Sequence, residues 1–491
     1  MTDTAQIALP ETRTKSAPLL PPRDKLVITL LLISAFVVIL NETIMGVAIP
    51  ELMADLRVDA SAAQWLSTAF MLTMAVVIPI TGFLLQRFHT RSVFLAAMSL
   101  FSAGTLLAAT APGFEVLVGA RVVQASGTAI MMPLLFTTVM TLVPPAIRGR
   151  VIGNVSIVIS VAPALGPTIS GLILSVLDWR WMFILVLPIA LAALVYGGIR
   201  MVNVTEPTST RIDMPSVILA AFGFGGLVFG LSNLGAVDGS ALTSWLPLGV
   251  GVVSLVLFVA RQLGLQRRDA ALLDLRTFKH RNFSISMGAV TVSMMALFGT
   301  IILLPIYTQE VLGLDALATG LMLLPGGLLM GLLAPTVGRL FDKHGPRALV
   351  LSGSSVTALV LWGLTMLSEN SPFWWVLVAH LALSLGFALL FTPLFTSALG
   401  ALPPKLYSHG SAVLGTVQQL AGAAGTALFV AVMASQAAPL ILSGVEEAPA
   451  TAVGIRAAFT VGASIFLLAI PAVAFIRRPA DTEEDIPVAP E

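Results

Sequence analysis

Long apolar runs alternate with short polar stretches along almost the whole chain. About 20 apolar residues, each rising 1.5 Å in a helix, span a hydrocarbon core about 30 Å thick, so these runs predict membrane-spanning helices. A membrane barrel is excluded because its strands would give short alternating segments instead of solid runs. The predicted spans lie near residues 26–49, 62–84, 92–111, 114–142, 150–176, 180–199, 214–235, 244–262, 283–309, 316–340, 348–367, 374–398, 409–433 and 453–476.

Composition supports this fold class. Apolar residues make up 57% of the 491 residues and charged residues only 10%, whereas roughly a quarter of the residues of a soluble domain are charged. The chain has no cysteine, which excludes disulfide and thiolate chemistry. The sequence therefore predicts an all-α integral membrane protein with 14 transmembrane helices.

The lysines and arginines collect on one side of the predicted spans. All 26 of them except Arg57, Arg121, Arg180 and Arg456 fall in the terminal segments or in loops that follow even-numbered spans. Basic residues concentrate on the cytoplasmic side of membrane proteins, so we expect both termini to be cytoplasmic.

Two polar turns have similar sequences, GFLLQRFHTR at 82–91 and GRLFDKHGPR at 338–347, and each ends the second span of a group. The matched pairs, 256 residues apart, are Gly82 with Gly338, Leu84 with Leu340, Arg87 with Lys343, and Arg91 with Arg347. This repeat predicts two six-helix halves of similar build, which is how many secondary transporters are organised.

The repeat also predicts the domain boundaries. Residues 26–200 would form the N-terminal six-helix bundle and residues 283–476 the C-terminal one. Residues 201–282 would hold inserted helices seven and eight with their cytoplasmic linkers, packed peripherally against lipid. Residues 1–25 and 477–491 are polar, and we expect them to be cytoplasmic tails.

The two turns resemble the signature turn of the major facilitator superfamily, G-x-L-x-D-[RK]-x-G-x-[RK]. The second copy carries this pattern through Gly338, Leu340, Asp342, Lys343, Gly345 and Arg347. The first copy has Gln86 where the family has aspartate and His89 where it has glycine. In the family, that aspartate helps to latch the cytoplasmic side in the outward-open state. Gln86 can form hydrogen bonds but carries no charge for such a latch.

Three further stretches resemble motifs of this superfamily. LVGARVVQASGTA at 117–129 is similar to its fourth-helix motif R-x-x-Q-G, with alanine in place of the glycine. VAPALGPTISG at 161–171 is similar to its fifth-helix antiporter motif, carried here by Pro163, Gly166, Pro167 and Gly171. LNETIMGVAIP at 40–50 resembles the first-helix motif of the fourteen-helix drug:proton antiporters, with Asn41 at the aspartate position.

The resemblance implies a proton-coupled multidrug efflux transporter. Such a protein would export lipophilic, often cationic, compounds across a bacterial cytoplasmic (inner) membrane by alternating access, and so confer antibiotic resistance. Its expected partners are lipophilic small-molecule substrates, protons and membrane lipids. It would use no cofactor, metal or nucleic acid and would work as a monomer, since each chain holds both halves.

Glu42 is the one acidic residue well inside a predicted span, about eight residues, or roughly 12 Å, from the external end of the first helix. Burying an ionised carboxylate in a bilayer is costly, so a proton would neutralise Glu42 part of the time. Arg121 is the intramembrane basic residue, and Gln124 shares its helical face. With Asn41, these residues form the predicted proton-coupling site, whose switch would be a Glu42–Arg121 distance that changes as the halves rock. The alternatives are a static buried ion pair and a misplaced span end.

Substrate contacts are predicted from residue type, since a promiscuous site needs adaptable methionine and aromatic side chains. The candidates are Met45, Met131, Met132, Phe136, Met295, Phe298 and Tyr307, each of which could equally face lipid or the core. The 256-residue offset of the repeat relates Phe298 to Glu42. Gln418 and Gln419 could bind substrate or tie helices together. His380 could be a second protonation site or a packing residue.

Other function classes have less support. An enzyme would need clustered catalytic side chains within the spans, and an ATP-driven pump would need a phosphate-binding loop; the sequence shows neither. A channel would be expected to show polar filter segments or rings of charge. The alternative that stays open is an exporter of a specific endogenous lipid, peptide or antibiotic on the same fold.

Overall fold

The computed structural model describes residues 20–204, 206–207, 212–233 and 241–477. Its long helices are α1 Pro22–Leu56, α2 Ala60–Arg87, α3 Thr90–Ala109, α4 Phe114–Leu142, α5 Arg148–Leu174, α6 Arg180–Arg200, α7 Met214–Asn233, α8 Ala241–Leu265, α9 Arg281–Ile306, α10 Ala316–His344, α11 Arg347–Leu364, α12 Phe373–Gly400, α13 Tyr407–Leu442 and α14 Glu447–Val473. Within the described residues, 14 helices are long and apolar enough to cross a membrane. The predicted fold class and number of spans are confirmed. Most of the two predicted tails lies outside the described residues.

Two helices are longer than the apolar pattern predicts. α1 continues through Pro50 to Leu56 and ends where Arg57 adopts a left-handed conformation, with φ of 53°. α13 continues to Leu442. A helix does not end where the hydrocarbon ends, because its backbone hydrogen bonds also form in water, so hydropathy alone underestimates these lengths. Glu42 therefore lies near the middle of α1, about two turns further from the helix end than predicted.

The helices fall into two packed groups. α1 to α6 contact one another, as do α9 to α14. The groups meet along a seam in which α5 packs on α10 and α12, and α13 packs on α2 and α4. We call the membrane side that carries residues 82–91 and 338–347 the turn side, and the opposite side the far side. The domain boundaries stay a prediction.

Glycines allow α5 and α10 to approach closely on the turn side. A Cβ at Gly338 would overlap the carbonyl oxygen of Gly149, and a Cβ at Gly153 would lie 2.5 Å from the carbonyl oxygen of Ala334. Towards the far side, a Cβ at Gly171 would meet no atom within 4 Å. Close contact between these two helices extends from the turn side past mid-span, because a Cβ at Gly331 would overlap Val161 and a Cβ at Gly327 would overlap Ala164.

The inserted helices are not wholly peripheral. α8 packs mainly on α7 and exposes much of its surface, but α7 contacts both α2 and α13 and so crosses the seam. The rings of Trp65 on α2 and Phe229 on α7 lie 5.7 Å apart. Only α8 therefore fits the peripheral placement that the sequence predicts for the pair.

Polar contacts join α7 and α8 at the turn side. Arg261 donates two hydrogen bonds to the carboxylate of Asp213, at 2.6 and 2.8 Å. These bonds, foremost among its interactions, lower the pKa of Asp213 to about 2. Gln262, fully buried, donates to the Ser216 hydroxyl at 2.7 Å and accepts from the backbone N–H of Leu272 at 2.8 Å. The hairpin is thus fixed to the linker that follows it.

Candidate functional site

Arg121 is held inside the first group of helices and is 1% exposed. Its guanidinium donates to Gln124 Oε1 at 2.6 Å and to Asn41 Oδ1 at 3.4 Å, and its Nε donates to the Leu66 carbonyl oxygen at 3.5 Å. The ring of Phe70 lies 4.1 Å from the guanidinium carbon, close enough for a cation–π contact. Arg121 is therefore fixed by groups from α1, α2 and its own helix.

Gln124 extends this network to a fourth helix. Its amide nitrogen donates to Thr105 Oγ1 on α3 at 2.8 Å. A Cβ at Gly104 would lie 2.5 Å from the Gln124 backbone nitrogen, so glycine lets α3 and α4 come close enough for this bond. The network ties four helices of one group together.

Glu42 is half-buried and has neither a hydrogen bond nor a salt bridge with any described residue, although Arg121 is near enough to attract it. The static ion pair considered above is therefore not formed. The rocking switch stays a prediction, and the structure places its two residues on α1 and α4 of the same group of helices. The helix α1 extends beyond Glu42 on both sides, and its apolar membrane-spanning part runs from Pro22 to Met45.

Asn41 takes the place beside Arg121 that the resemblance assigns to a carboxylate. Its side chain is fully buried, and its amide nitrogen has no hydrogen-bond partner among the residues that the structure describes. Successive side chains of a helix point about 100° apart, so Glu42 and Asn41 lie on different faces of α1. The chain thus places a neutral amide against the arginine and leaves the carboxylate unpaired.

The signature turns form unequal contacts across the seam. The Asp342 carboxylate accepts from the backbone N–H of Gly149 at 2.7 Å and of Arg150 at 2.8 Å, at the start of α5. In the other half, Gln86 Nε2 donates to the Lys405 carbonyl oxygen at 3.1 Å. The 256-residue offset relates Asp342 to Gln86 and Gly149 to Lys405. One contact is therefore charged and the other neutral.

Other residues of the turns have local roles. Gly345 ends α10 with φ of 77°, a conformation that favours glycine. Arg91 donates to the Gly198 carbonyl oxygen on α6. A Cβ at Gly82 would lie 3.0 Å from the His409 ring, so this glycine allows α13 to pack on α2. The guanidinium of Arg87 lies 5.9 Å from the neighbouring Phe88 ring, and Lys343 and Arg347 are exposed.

The fifth-helix motif packs beside the carboxylate. A Cβ at Gly166 would overlap the hydroxyl of Thr43, the residue after Glu42, so this glycine permits close packing of α5 on α1. Pro163 and Pro167 lie within α5. Gly171 has open space beside it and makes no such contact.

The predicted substrate residues divide by exposure. Met45, Met131, Phe136 and Tyr307 are at most 1% exposed, and Tyr307 donates its hydroxyl to the Ser368 carbonyl oxygen at 2.6 Å. The structure therefore places these four in packed positions that no ligand reaches in this conformation. Those that stay accessible are Met132, Met295, Gln418 and Gln419, all half-buried, and Phe298, which is 37% exposed.

His380 packs between helices. Its Nε2 lies 3.0 Å from the Leu323 carbonyl oxygen of α10, and its Nδ1 is buried without a hydrogen-bond partner in the described part of the chain. A Cβ at Gly326 would overlap the imidazole. These contacts fit the packing alternative.

One set of residues escaped the sequence analysis. Phe387, Phe391 and Phe395 of α12 stack in sequence, with ring centroids 5.5 and 5.7 Å apart and interplanar angles of 21°. The i, i+4, i+8 spacing in FALLFTPLF would have revealed this ladder. The Phe395 ring also meets Phe136 of α4 edge-on across the seam, at 5.8 Å.

Two groups of membrane-spanning helices that meet along a seam, with a half-buried carboxylate in one of them, are an arrangement found in many secondary transporters. The sequence profile of the Major Facilitator Superfamily matches residues 31–426. The chain belongs to that superfamily.

Known proteins agree with this assignment. The chain is 41% identical over 467 residues to the Uncharacterized MFS-type transporter YcnB of Bacillus subtilis (strain 168), covering 95% of this chain and 98% of that protein. It is 40% identical over 407 residues to the Lincomycin resistance protein LmrB of the same organism, covering 82% and 84%. The crystal structure of the human organic anion transporter MFSD10 (TETRAN) aligns with a TM-score of 0.66 and 14% identity, covering 92% of this chain and 100% of that one. This last likeness concerns the fold alone.

Proposed function

We propose that the protein is a proton-coupled antiporter that exports lipophilic, often cationic, compounds from the bacterial cytoplasm. The observation that carries the proposal is Glu42, an unpaired and half-buried carboxylate within a membrane span. An intramembrane ionisable group is costly to keep, and such groups usually mark a transport or proton path. No other acidic residue lies so far from a helix end within the described spans.

Arg121 would act as a fixed positive charge. Because its partners all lie in the same group of helices, its attraction for Glu42 stays nearly constant through the transport cycle. The quantity that changes is then access of Glu42 to water on one side or the other. A proton would bind Glu42 when the far side is open and leave when the turn side opens, while substrate moves in the opposite direction.

The names of similar proteins support the proposed class of exported compound. A lincomycin resistance protein at 40% identity favours export of an antibiotic or drug-like compound. The same name also supports the narrower alternative, an exporter of one particular antibiotic, and a specific endogenous lipid or peptide would fit the same machinery. We further propose that the protein works as a monomer in the cytoplasmic membrane, with both termini cytoplasmic, since each chain carries both helix groups.

The test is dye efflux driven by an imposed pH gradient in proteoliposomes, with the native protein and Glu42→Gln at matched reconstitution. We expect the variant to lose uphill transport and to retain dye binding. The matched control is Glu51→Gln, the same substitution at an exposed position of the same helix, which should transport normally. Undiminished gradient-driven transport by Glu42→Gln would refute the coupling role. Native protein that moves one antibiotic but no lipophilic dye would favour the narrower exporter.

A further inference from the structure

The three stacked phenylalanines of α12, Phe387, Phe391 and Phe395, form what we call the aromatic ladder. All three are buried, and a small cavity runs beside them. α12 starts on the far side and ends on the turn side, so the ladder descends from mid-span towards the turn side. We propose that the ladder is the loading site for the planar aromatic part of a substrate when the turn side opens. This inference rests on the proposed function and names the substrate class.

Both groups of helices supply the walls around the ladder. Ser156 and Ile159 of α5 line the cavity from one group, and Met330 of α10 lines it from the other. Thr392 donates a hydrogen bond to the Ser156 hydroxyl across the seam at 2.8 Å. Separation of the groups on the turn side would therefore remove one wall and uncover the ring faces.

The uncovered ladder would favour an aromatic ligand. Exposure of three phenyl rings to water is unfavourable. A flat apolar group that takes the place of α5 would bury the rings again and so recover this free energy. Aromatic rings add geometry-dependent attraction to the area that they bury. The flexible thioether of Met330 allows rings of different size to fit. The cavity lining contains no acidic or basic residue, so the planar ring, and not a charge, would be recognised here.

Two hydroxyl groups would supply the polar contacts. In the closed seam, the Thr392 hydroxyl donates to Ser156 Oγ, and the Ser156 hydroxyl donates to the Ile152 carbonyl oxygen at 3.1 Å. When the groups part, the Thr392 hydroxyl loses its acceptor and can donate to a ligand, while Ser156 Oγ can accept a hydrogen bond from one. The ladder belongs to the second helix group and Glu42 to the first, so recognition of the ring and binding of the proton would use different groups.

Equilibrium dialysis of the purified protein would test the proposal with two cations. Ethidium is planar and aromatic, whereas tetrapentylammonium is aliphatic. Phe391→Leu keeps an apolar side chain but removes the ring face, and we expect it to raise the Kd for ethidium about 2- to 10-fold. The Kd for tetrapentylammonium should change less than about twofold. Phe391→Tyr, which keeps the ring, should retain ethidium binding.

The control is Phe429→Leu, which removes a buried ring that packs edge-on against Phe459 elsewhere in the second group. It should leave the ratio of the two Kd values unchanged. Equal loss of both ligands in Phe391→Leu, or ethidium binding that is unaffected, would overturn the proposal. Because dialysis needs no pH gradient, the result is independent of proton coupling. Glu51→Gln, at an exposed position outside both sites, should leave the selectivity for ethidium as it is.

Discussion

Asp342→Asn should destabilise closure of the turn side. The carboxylate accepts two backbone N–H groups at the start of α5, where unpaired donors and the helix dipole favour a negative charge. Asparagine keeps one acceptor oxygen but loses the charge and the second acceptor. Caps of this kind contribute about 0.5–2 kcal/mol and the dipole about 0.3–1 kcal/mol. A loss of about 1–3 kcal/mol would raise the population of the turn-open state about 5- to 150-fold.

Thiol labelling would measure this shift, because the chain has no cysteine of its own. Ser156→Cys places a nearly isosteric thiol in the seam, where the native side chain is buried. When opening is fast relative to labelling, the maleimide reaction rate in nanodiscs follows the open population. Asp342→Asn in this background should react faster by the same factor.

The matched control for the latch is Asp315→Asn at the other end of α10. Asp315 accepts from the Ala318 backbone N–H at 2.6 Å, within its own helix and away from the seam. This variant should label at the parent rate. The reasoning would be refuted if Asp342→Asn also labelled at the parent rate, or if both variants accelerated labelling equally.

Three further substitutions probe the remaining contacts. Gln124→Leu removes the nearest acceptor of the buried guanidinium, so it should cost about 1.5–3 kcal/mol of stability and lower the unfolding temperature in detergent; an unchanged temperature would contradict the network. Asp213→Asn removes the salt bridge between α7 and α8. Because the pKa of Asp213 is lowered to about 2, its contribution is present above the ordinary aspartate range and is lost as pH falls through about 2. The unfolding temperatures of variant and native protein should therefore differ at pH 7 and converge near pH 2, and a gap independent of pH would argue against the pair. Gly338→Ala forces a methyl group into the backbone of α5, so it should raise the labelling rate at the seam, and unchanged labelling would show that the helices can adjust.

The number of spans was predictable because the bilayer fixes a minimum apolar length. The positions of the helix ends were less predictable, because α1 continues through Glu51 and Asp55, where the sequence is no longer apolar. Glu42 and Arg121 were found from their isolation in apolar sequence. The absence of an ion pair between them was not predictable. Helix packing decides which residue of α1 faces Arg121, and that residue is Asn41.

The substrate residues were the least predictable part. In a soluble helix an apolar stripe marks the core, but a membrane helix is apolar on every face, so residue type does not separate core, cavity and lipid. Met45 and Met131 were selected by type and lie in the core. The aromatic ladder had a readable spacing, yet its meaning depends on the α5 surface that covers it.

The placement of α7 has a mechanical consequence. A helix that touches α2 in one group and α13 in the other cannot remain fixed to both when they move relative to each other. In the proposed transport cycle, one of its two contacts would slide, and we expect that sliding contact to influence turnover speed. Substitutions on α7 would then alter how fast the protein cycles without altering what it carries.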